Sequence, residues 1–318
     1  MKHEAHDLAQ MQSLPLEAKI VMSQQRIRQW YDYWDGQVYV SFSGGKDSTV
    51  LKHLVETTSG VYDVPSVFVN TGLEFPELRQ FAMAQENVTV LRPEMRFDEV
   101  LKTYGYPVVG KQQARYIRDL QNASEKNEAT VNLRLTGYNR NGQFCPSMKL
   151  ADKWIPLKDA PFKISEQCCD VMKKAPMKKY HKETGRMPII GTMACESSLR
   201  RKAWMMNGCN AFHAKDPKSQ PMSFWTEQDV LQYIVKYKLP YASVYGEIKQ
   251  DENGTWYTTG EKRTGCMFCM FGCHMEKTPN RFQRMKETHP RQYEYCMRPV
   301  EEKGLGLDEV LTYLGVEH

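Results

Sequence analysis

The sequence has 318 residues, with 43 Lys and Arg against 38 Asp and Glu, a formal charge of +5; 41% of residues are hydrophobic and 25% charged. This composition excludes a largely disordered chain, and no run approaches the roughly 18 apolar residues of a membrane span. The nine cysteines are an odd number, which argues against a complete disulfide framework. With no apolar leader in the first residues, the expected location is cytoplasmic, with reduced thiols.

In chain order, Leu16, Ile20, Ile27, Trp30, Tyr31 and Trp34 recur at near-helical spacing and predict a helix ending near Gly36. Val38–Phe42 is a short β-rich run. It passes through Ser43-Gly44-Gly45-Lys46 into Asp47–Thr57, whose Val50, Leu51, Leu54 and Val55 form one apolar face of a helix. Further strands are expected at Ser66–Asn70, Val88–Leu91 and Met187–Ile190, and a helix at Glu77–Gln85. Residues 121–129 read as an exposed polar loop. Thr226 to Asp229 has the form of a capping box opening a helix. Residues 249–264 are polar, with an Asn253-Gly254 turn, and Leu307, Val310, Leu311 and Leu314 mark a last amphipathic helix. Strands alternating with helices predict an α/β fold, a parallel sheet with helices on both faces. The expected organisation is an N-terminal helix at 1–35, an α/β nucleotide-binding domain at 36–240 and a cysteine-rich C-terminal subdomain at 241–318.

Charge is concentrated. Between Lys163 and Arg186 seven residues are basic and three acidic. A solvated face explains this; so does an anionic ligand or a nucleic acid.

Ser43-Gly44-Gly45-Lys46-Asp47-Ser48 lies between a predicted strand and a predicted helix. Two glycines let the backbone turn and approach a ligand closely. The following helix offers unpaired N–H groups and the positive end of its dipole. Ser43 and Ser48 add hydroxyls and Lys46 a charge, which together make a pocket for a pyrophosphate-like anion. The Walker A spacing is absent.

These six residues resemble the signature of the PP-loop ATP pyrophosphatases. The resemblance implies that the loop holds ATP or a related adenine nucleotide, that Asp47 lies near Mg2+, and that chemistry occurs at the α-phosphate. Val69–Glu77 (VNTGLEFPE) is similar to an element of the phosphoadenylylsulfate (PAPS) reductase family, with Asn70 where that family has Asp. Gly191-Thr192 with Glu196-Ser197-Ser198-Leu199-Arg200, and Phe224–Val230, resemble two further elements of the same family. The resemblance spans about residues 36–272 and implies an adenine nucleotide alpha hydrolase-like, Rossmann-like sheet. It makes Lys46, Asp47 and Arg200 the expected catalytic residues. The expected nucleotide contacts are Ser43, Gly44, Gly45, Lys46, Asp47, Ser48, Thr71, Gly72, Glu74, Glu196 and Arg200. Phe224–Val230 reads as a helix cap and core face.

Cys266-x-x-Cys269 is half of a metal site, since closed sites take four ligands. The cluster-bearing branch of the family pairs a C-x-x-C with a distant Cys-Cys. By that resemblance Cys168, Cys169, Cys266 and Cys269 are the expected ligands of a 4Fe-4S cluster, with Lys173 or Lys174 offsetting its charge. The competitor is zinc, held by four cysteines or by three cysteines and a histidine, in a site that draws on Cys273 or His274. Cys145 reads as a packed or a sulfur-carrying thiol, and Cys195, Cys209 and Cys296 as packing residues.

The family's reductases carry a nucleophilic cysteine in a C-terminal motif, whereas here no cysteine follows Cys296. The leading expectation is therefore a sulfur-handling enzyme that adenylates its substrate and releases pyrophosphate, like the DNA phosphorothioation enzymes. The alternatives are a PAPS or adenylylsulfate reductase releasing sulfite with another nucleophile, for which Cys145 is the candidate, and a zinc-stabilised nucleotide or nucleic-acid binding module. The partners implied are an adenine nucleotide, a nucleic-acid acceptor, and either a cysteine desulfurase as sulfur donor or a thioredoxin-like reductant, with no membrane.

Overall fold

The computed structural model describes residues 3–318, which divide into two units. The first comprises residues up to 70 with 74–92 and 176–264; the second comprises 71–73, 93–175 and 265–318.

The first unit is an α/β sheet. Helices α1 (Ala5–Gln12) and α2 (Leu16–Tyr33) precede strand β1 (Val38–Phe42). Then follow α3 (Lys46–Glu56), β2 (Ser66–Val69), α4 (Pro76–Met83) and β3 (Val88–Leu91). After α5 (Ala175–Thr184) come β4 (Met187–Ile190), α6 (Ser198–Asn207), the short strands β5 (Asn210–Ala211) and β6 (Lys218–Ser219), and α7 (Glu227–Tyr237). The strand order is β3-β2-β1-β4-β6-β5, parallel throughout except for the β5–β6 pair. Val38, Val40 and Phe42 of β1 are buried, as are Val50, Leu51, Leu54 and Val55 of α3. The apolar faces read from the sequence therefore form one core with Trp30 and Trp225. The strand order reverses at β1, which pairs with β2 on one side and β4 on the other. In open α/β sheets that reversal, at the carboxyl ends of the strands, is where ligands bind.

The capping box of α7 is present. Thr226 Oγ1 accepts the Asp229 N–H, and the Asp229 carboxylate accepts the Thr226 N–H at 2.7 Å. Asp229 does more than cap: its two oxygens accept from buried Lys19 Nζ at 2.7 and 2.8 Å, which ties α7 to α2.

Two polar stretches hold more structure than expected. Ile248–Gln250 and Trp256–Thr258 pair as an antiparallel hairpin, with the Asn253-Gly254 turn at its tip. The hairpin gains order from α7, whose Gln228 side chain bonds both backbone groups of Trp256. Likewise 121–129 is no open loop: Ser124 and Asn127 bond each other to form a helical turn at Glu125–Asn127, which leads into a helix at Glu128–Thr136.

The second unit is mainly helical, with helices including Phe97–Tyr104, Lys111–Gln121, Arg281–Thr288, Pro290–Met297 and Leu307–Tyr313. An extended strut runs through it at Tyr106–Val109. Tyr106 N–H donates to Lys163 O at 2.8 Å, and Ser165 N–H donates to Tyr106 O at 3.0 Å. Val108–Val109 pairs in parallel with Met270–Phe271. The strut thus binds the chain just before Cys168 and just after Cys269. Gly105 allows it: at φ +108, an added Cβ would fall 2.4 Å from the Lys163 carbonyl.

Candidate nucleotide loop and cysteine cavity

In the first unit, β1 delivers Ser43–Ser48 to the sheet's reversal point. The loop is held by its own serines. The Ser43 and Ser48 hydroxyls bond each other at 3.0 Å. The Ser43 N–H donates to Ser48 Oγ, the Gly45 N–H donates to Ser43 Oγ, and Ser48 Oγ also bonds Gly45 O at 2.9 Å. These hydroxyls, expected to bind ligand, are therefore already engaged in shaping the backbone. Gly44 turns the chain at φ +74, packed so closely on α4 that an added Cβ would lie 2.9 Å from the Ala82 Cβ. Gly191, at the end of β4, lets that strand approach the Asp47 carbonyl.

Lys46 is buried at the start of α3. Its ammonium donates to the Lys262 carbonyl at 3.1 Å and pairs with Glu227 at 3.2 Å. Burial by itself lowers the pKa of such a group; Asp47, Tyr245 and Glu227 outweigh it and hold Lys46 above its ordinary value. The Lys46 N–H donates to Tyr245 Oη at 3.2 Å, and that oxygen shares a 2.6 Å hydrogen bond with Thr264 Oγ1. Asp47 Oδ1 is buried without a hydrogen-bond partner, 3.9 Å from Lys46 Nζ. Burial pushes the Asp47 carboxyl above the usual carboxylate range, against the pull of Lys46.

Glu196 lies in the electrostatic surroundings of Asp47 and forms an ion pair with Arg200. Glu196 also accepts the Met193 N–H at 2.7 Å, and Ser197 caps α6 by accepting the Arg200 N–H. Glu74 is half-buried in the same unit. Thr71 and Gly72 belong to the second unit, where Thr71 is buried and accepts the Leu73 N–H, and Gly72 turns the chain at φ +75. Cys195 corrects its assignment to packing: it is exposed, beside Glu196 and within the field of Asp47, with its thiol directed to the Trp225 carbonyl. Burial of the thiol, then Glu196, pushes its pKa up. Cys209 and Cys296 are buried, as packing requires.

In the second unit Cys168, Cys169, Cys266 and Cys269 line one cavity, walled by Leu73, Phe97, Pro107, Met172 and Lys173. The chain around Cys169 forms a π-helical turn at Asp170–Lys174. A hydrogen bond from Cys168 favours the Cys169 thiolate, and Lys111 and Lys173 add to it against the cost of burial, bringing its pKa to about 5. Cys168 is shifted up by the same bond, and Cys269 by burial. Arg281 donates to the Cys269 carbonyl at 2.8 Å and is held by Glu276. Cys273 is buried off this cavity, and burial raises its pKa to about 11. Cys145 sits half-buried between Asn139 and the Gln143 carbonyl. Among the described residues no set of three or more His, Cys, Asp or Glu side chains converges closely enough to hold a single metal ion.

Sequence reasoning missed Lys111, Glu227, Tyr245, Lys262, Thr264 and Arg281. None stands in a motif with a ligand spacing. Glu227 was in view, but only as part of a helix cap. The basic Lys163–Arg186 stretch is divided between the two units at Pro176. Within it Lys174 pairs with Asp170, while Arg186 holds the Val38 carbonyl at 3.0 Å.

Solved structures with a similar trace include PAPS reductase from Candida auris in its phosphate complex (15% identity, 80% of this chain and 98% of that one, TM-score 0.39). Another is Candida glabrata FMN adenylyltransferase with ATP (11% identity, 75% of this chain and 64% of that one, TM-score 0.39). No curated protein matches the sequence. The model of the phosphoadenosine phosphosulfate reductase domain matches residues 37–137 and 125–279. That span covers most of the chain, and the chain belongs to the phosphoadenosine phosphosulfate reductase domain family.

Proposed function

We propose that this protein is a PP-loop enzyme of sulfur metabolism that binds ATP or a related adenine nucleotide and promotes reaction at its α-phosphate. The observation that carries the reading is the Lys46–Asp47 pair at the start of α3: a buried ammonium beside a carboxylate oxygen with no hydrogen-bond partner, on a glycine loop at the sheet's reversal point. Attack by a substrate oxygen on the α-phosphorus breaks the bond to the β-phosphate, and pyrophosphate leaves. The loop and Lys46 hold that leaving group, whose charge the helix N-terminus favours. Glu196 keeps Arg200 at the same end of the sheet, where its planar fork suits phosphate oxygens. The Asp47 oxygen that accepts no hydrogen bond fits a Mg2+ ligand, because this hard cation takes carboxylate oxygens together with nucleotide phosphates.

The four thiols around one cavity, one of them favoured as thiolate, fit the donor set of an iron-sulfur cluster. Cys168, Cys169, Cys266 and Cys269 would hold it, and Lys111 and Lys173 would offset its charge. When bound, the cluster would supply electron or sulfur transfer.

The test is anaerobic purification with iron, sulfide and zinc analysis, followed by assay of pyrophosphate release from ATP with nucleic-acid and small-molecule acceptors. Protein that binds neither ATP nor a sulfonucleotide refutes the nucleotide reading. Zinc without iron refutes the cluster. The sulfite-releasing alternative needs another nucleophile, Cys145 or Cys195, although partial burial of the Cys195 thiol and Glu196 both disfavour its thiolate; sulfite formation with thioredoxin would establish it.

A further inference from the structure

Gly45 adopts φ −75 and ψ 158, an ordinary extended conformation open to any residue. What glycine leaves here is a narrow space beside hydroxyl groups, and not a special backbone geometry. The space has defined walls: an added Cβ would lie 3.2 Å from Tyr245 Oη, 3.3 Å from Ser43 Oγ and 3.4 Å from Thr264 Oγ1. Three hydroxyls from three separate segments of the first unit therefore face the niche that the missing side chain leaves.

Their hydrogen bonds can be counted. A hydroxyl has one proton and two lone pairs. Tyr245 Oη accepts the Lys46 N–H, and the Tyr245–Thr264 bond uses one proton of that pair. Whichever hydroxyl donates in that bond, the proton of the other remains to be given. Thr264 is half-buried, and Tyr245 is 2% exposed, so water is a poor recipient of the Tyr245 proton. An oxygen seated over Gly45 is a good one, and Lys46 and Asp47 stand on the next two residues.

The geometry points to Tyr245 and Thr264 as anion-binding residues of the nucleotide loop, which donate a hydroxyl proton to a pyrophosphate oxygen seated in the Gly45 niche. This rests on the nucleotide reading above, and it adds two contacts that lie outside the loop motif.

The experiment is calorimetric titration of the full chain with inorganic pyrophosphate. Thr264→Val keeps the side chain's shape and removes the hydroxyl; it should raise Kd at least fivefold. Thr264→Ser restores a hydroxyl and should bring Kd back to within twofold of the parent. Tyr245→Phe should weaken binding by a similar factor; should that variant fail to fold, the Val and Ser pair decides. Binding by Thr264→Val within twofold of the parent overturns the proposal, as does a Thr264→Ser variant as weak as Thr264→Val. A parent protein that binds no pyrophosphate refutes the nucleotide site itself, a result distinct from variants that bind normally.

Discussion

Replacing Gly45 by alanine separates binding from folding. The backbone conformation at Gly45 suits alanine, and losing glycine's freedom in the unfolded chain favours folding by about 0.4–1 kcal/mol. Gly45 is also the N-cap of α3, where alanine is worse than glycine by up to about 1 kcal/mol. The two effects oppose each other. The contacts at 3.2–3.4 Å are with hydroxyl ends of side chains, which are able to give by a few tenths of an ångström. Stability should therefore change by no more than about 1 kcal/mol. The methyl group, however, occupies the niche where a phosphate oxygen would sit. Losing one hydrogen bond to a charged group costs about 1.5–3 kcal/mol, roughly a 10- to 150-fold rise in Kd. Thermal unfolding by circular dichroism and calorimetric titration with pyrophosphate measure the two quantities on one sample. A Gly45→Ala protein that binds pyrophosphate within twofold of the parent would refute the argument. Gly44→Ala should behave in the opposite way. Its φ of +74 and the 2.9 Å approach to Ala82 predict a loss of stability of about 1–3 kcal/mol, visible without ligand.

Lys19→Met should destabilise the fold by about 3–5 kcal/mol, because it leaves the Asp229 carboxylate buried without its cation; a urea midpoint equal to the parent's would contradict this. Cys169→Ser, purified anaerobically, should carry far less iron and sulfide than the parent, and equal content would remove Cys169 from the ligand set. His53 is shifted below its ordinary value of 6.5, first by burial, with its ring bonded to Tyr233 Oη at 2.8 Å. The unfolded chain thus takes up the proton more readily, so this contribution to stability is complete above pH 6.5 and is lost as pH falls through the folded value. The drop in unfolding midpoint between pH 7.5 and 5.5 should shrink in His53→Asn; an unchanged drop would exclude His53 as its source.

Patterns confined to one segment were legible in the sequence. The 3.6-residue spacing of Leu16–Trp34, the β-rich run Val38–Phe42 and the Thr226–Asp229 box each involve neighbours along the chain, and each element formed where its pattern stands. The Ser43–Ser48 loop was readable for the same reason, since its glycines, serines and lysine are consecutive. Residues 248–258 were harder to read, because their hairpin is held partly by Gln228 from a distant helix. Cys195 was misread because exposure is a property of the fold and leaves no mark on local composition.

By itself, then, the sequence determined the parallel α/β pattern, the Ser43–Ser48 loop and the family, all of which depend on short-range order. Only the tertiary structure decided what surrounds them. It placed Tyr245 and Thr264 beside Gly45, Glu227 and the Lys262 carbonyl on Lys46, and Lys111 near Cys169. It also gathered two cysteine pairs through the strut at Tyr106–Val109, whose hydrogen bonds reach both. These groups are far apart in sequence, and no local propensity encodes their meeting. Packing around the core brings them together.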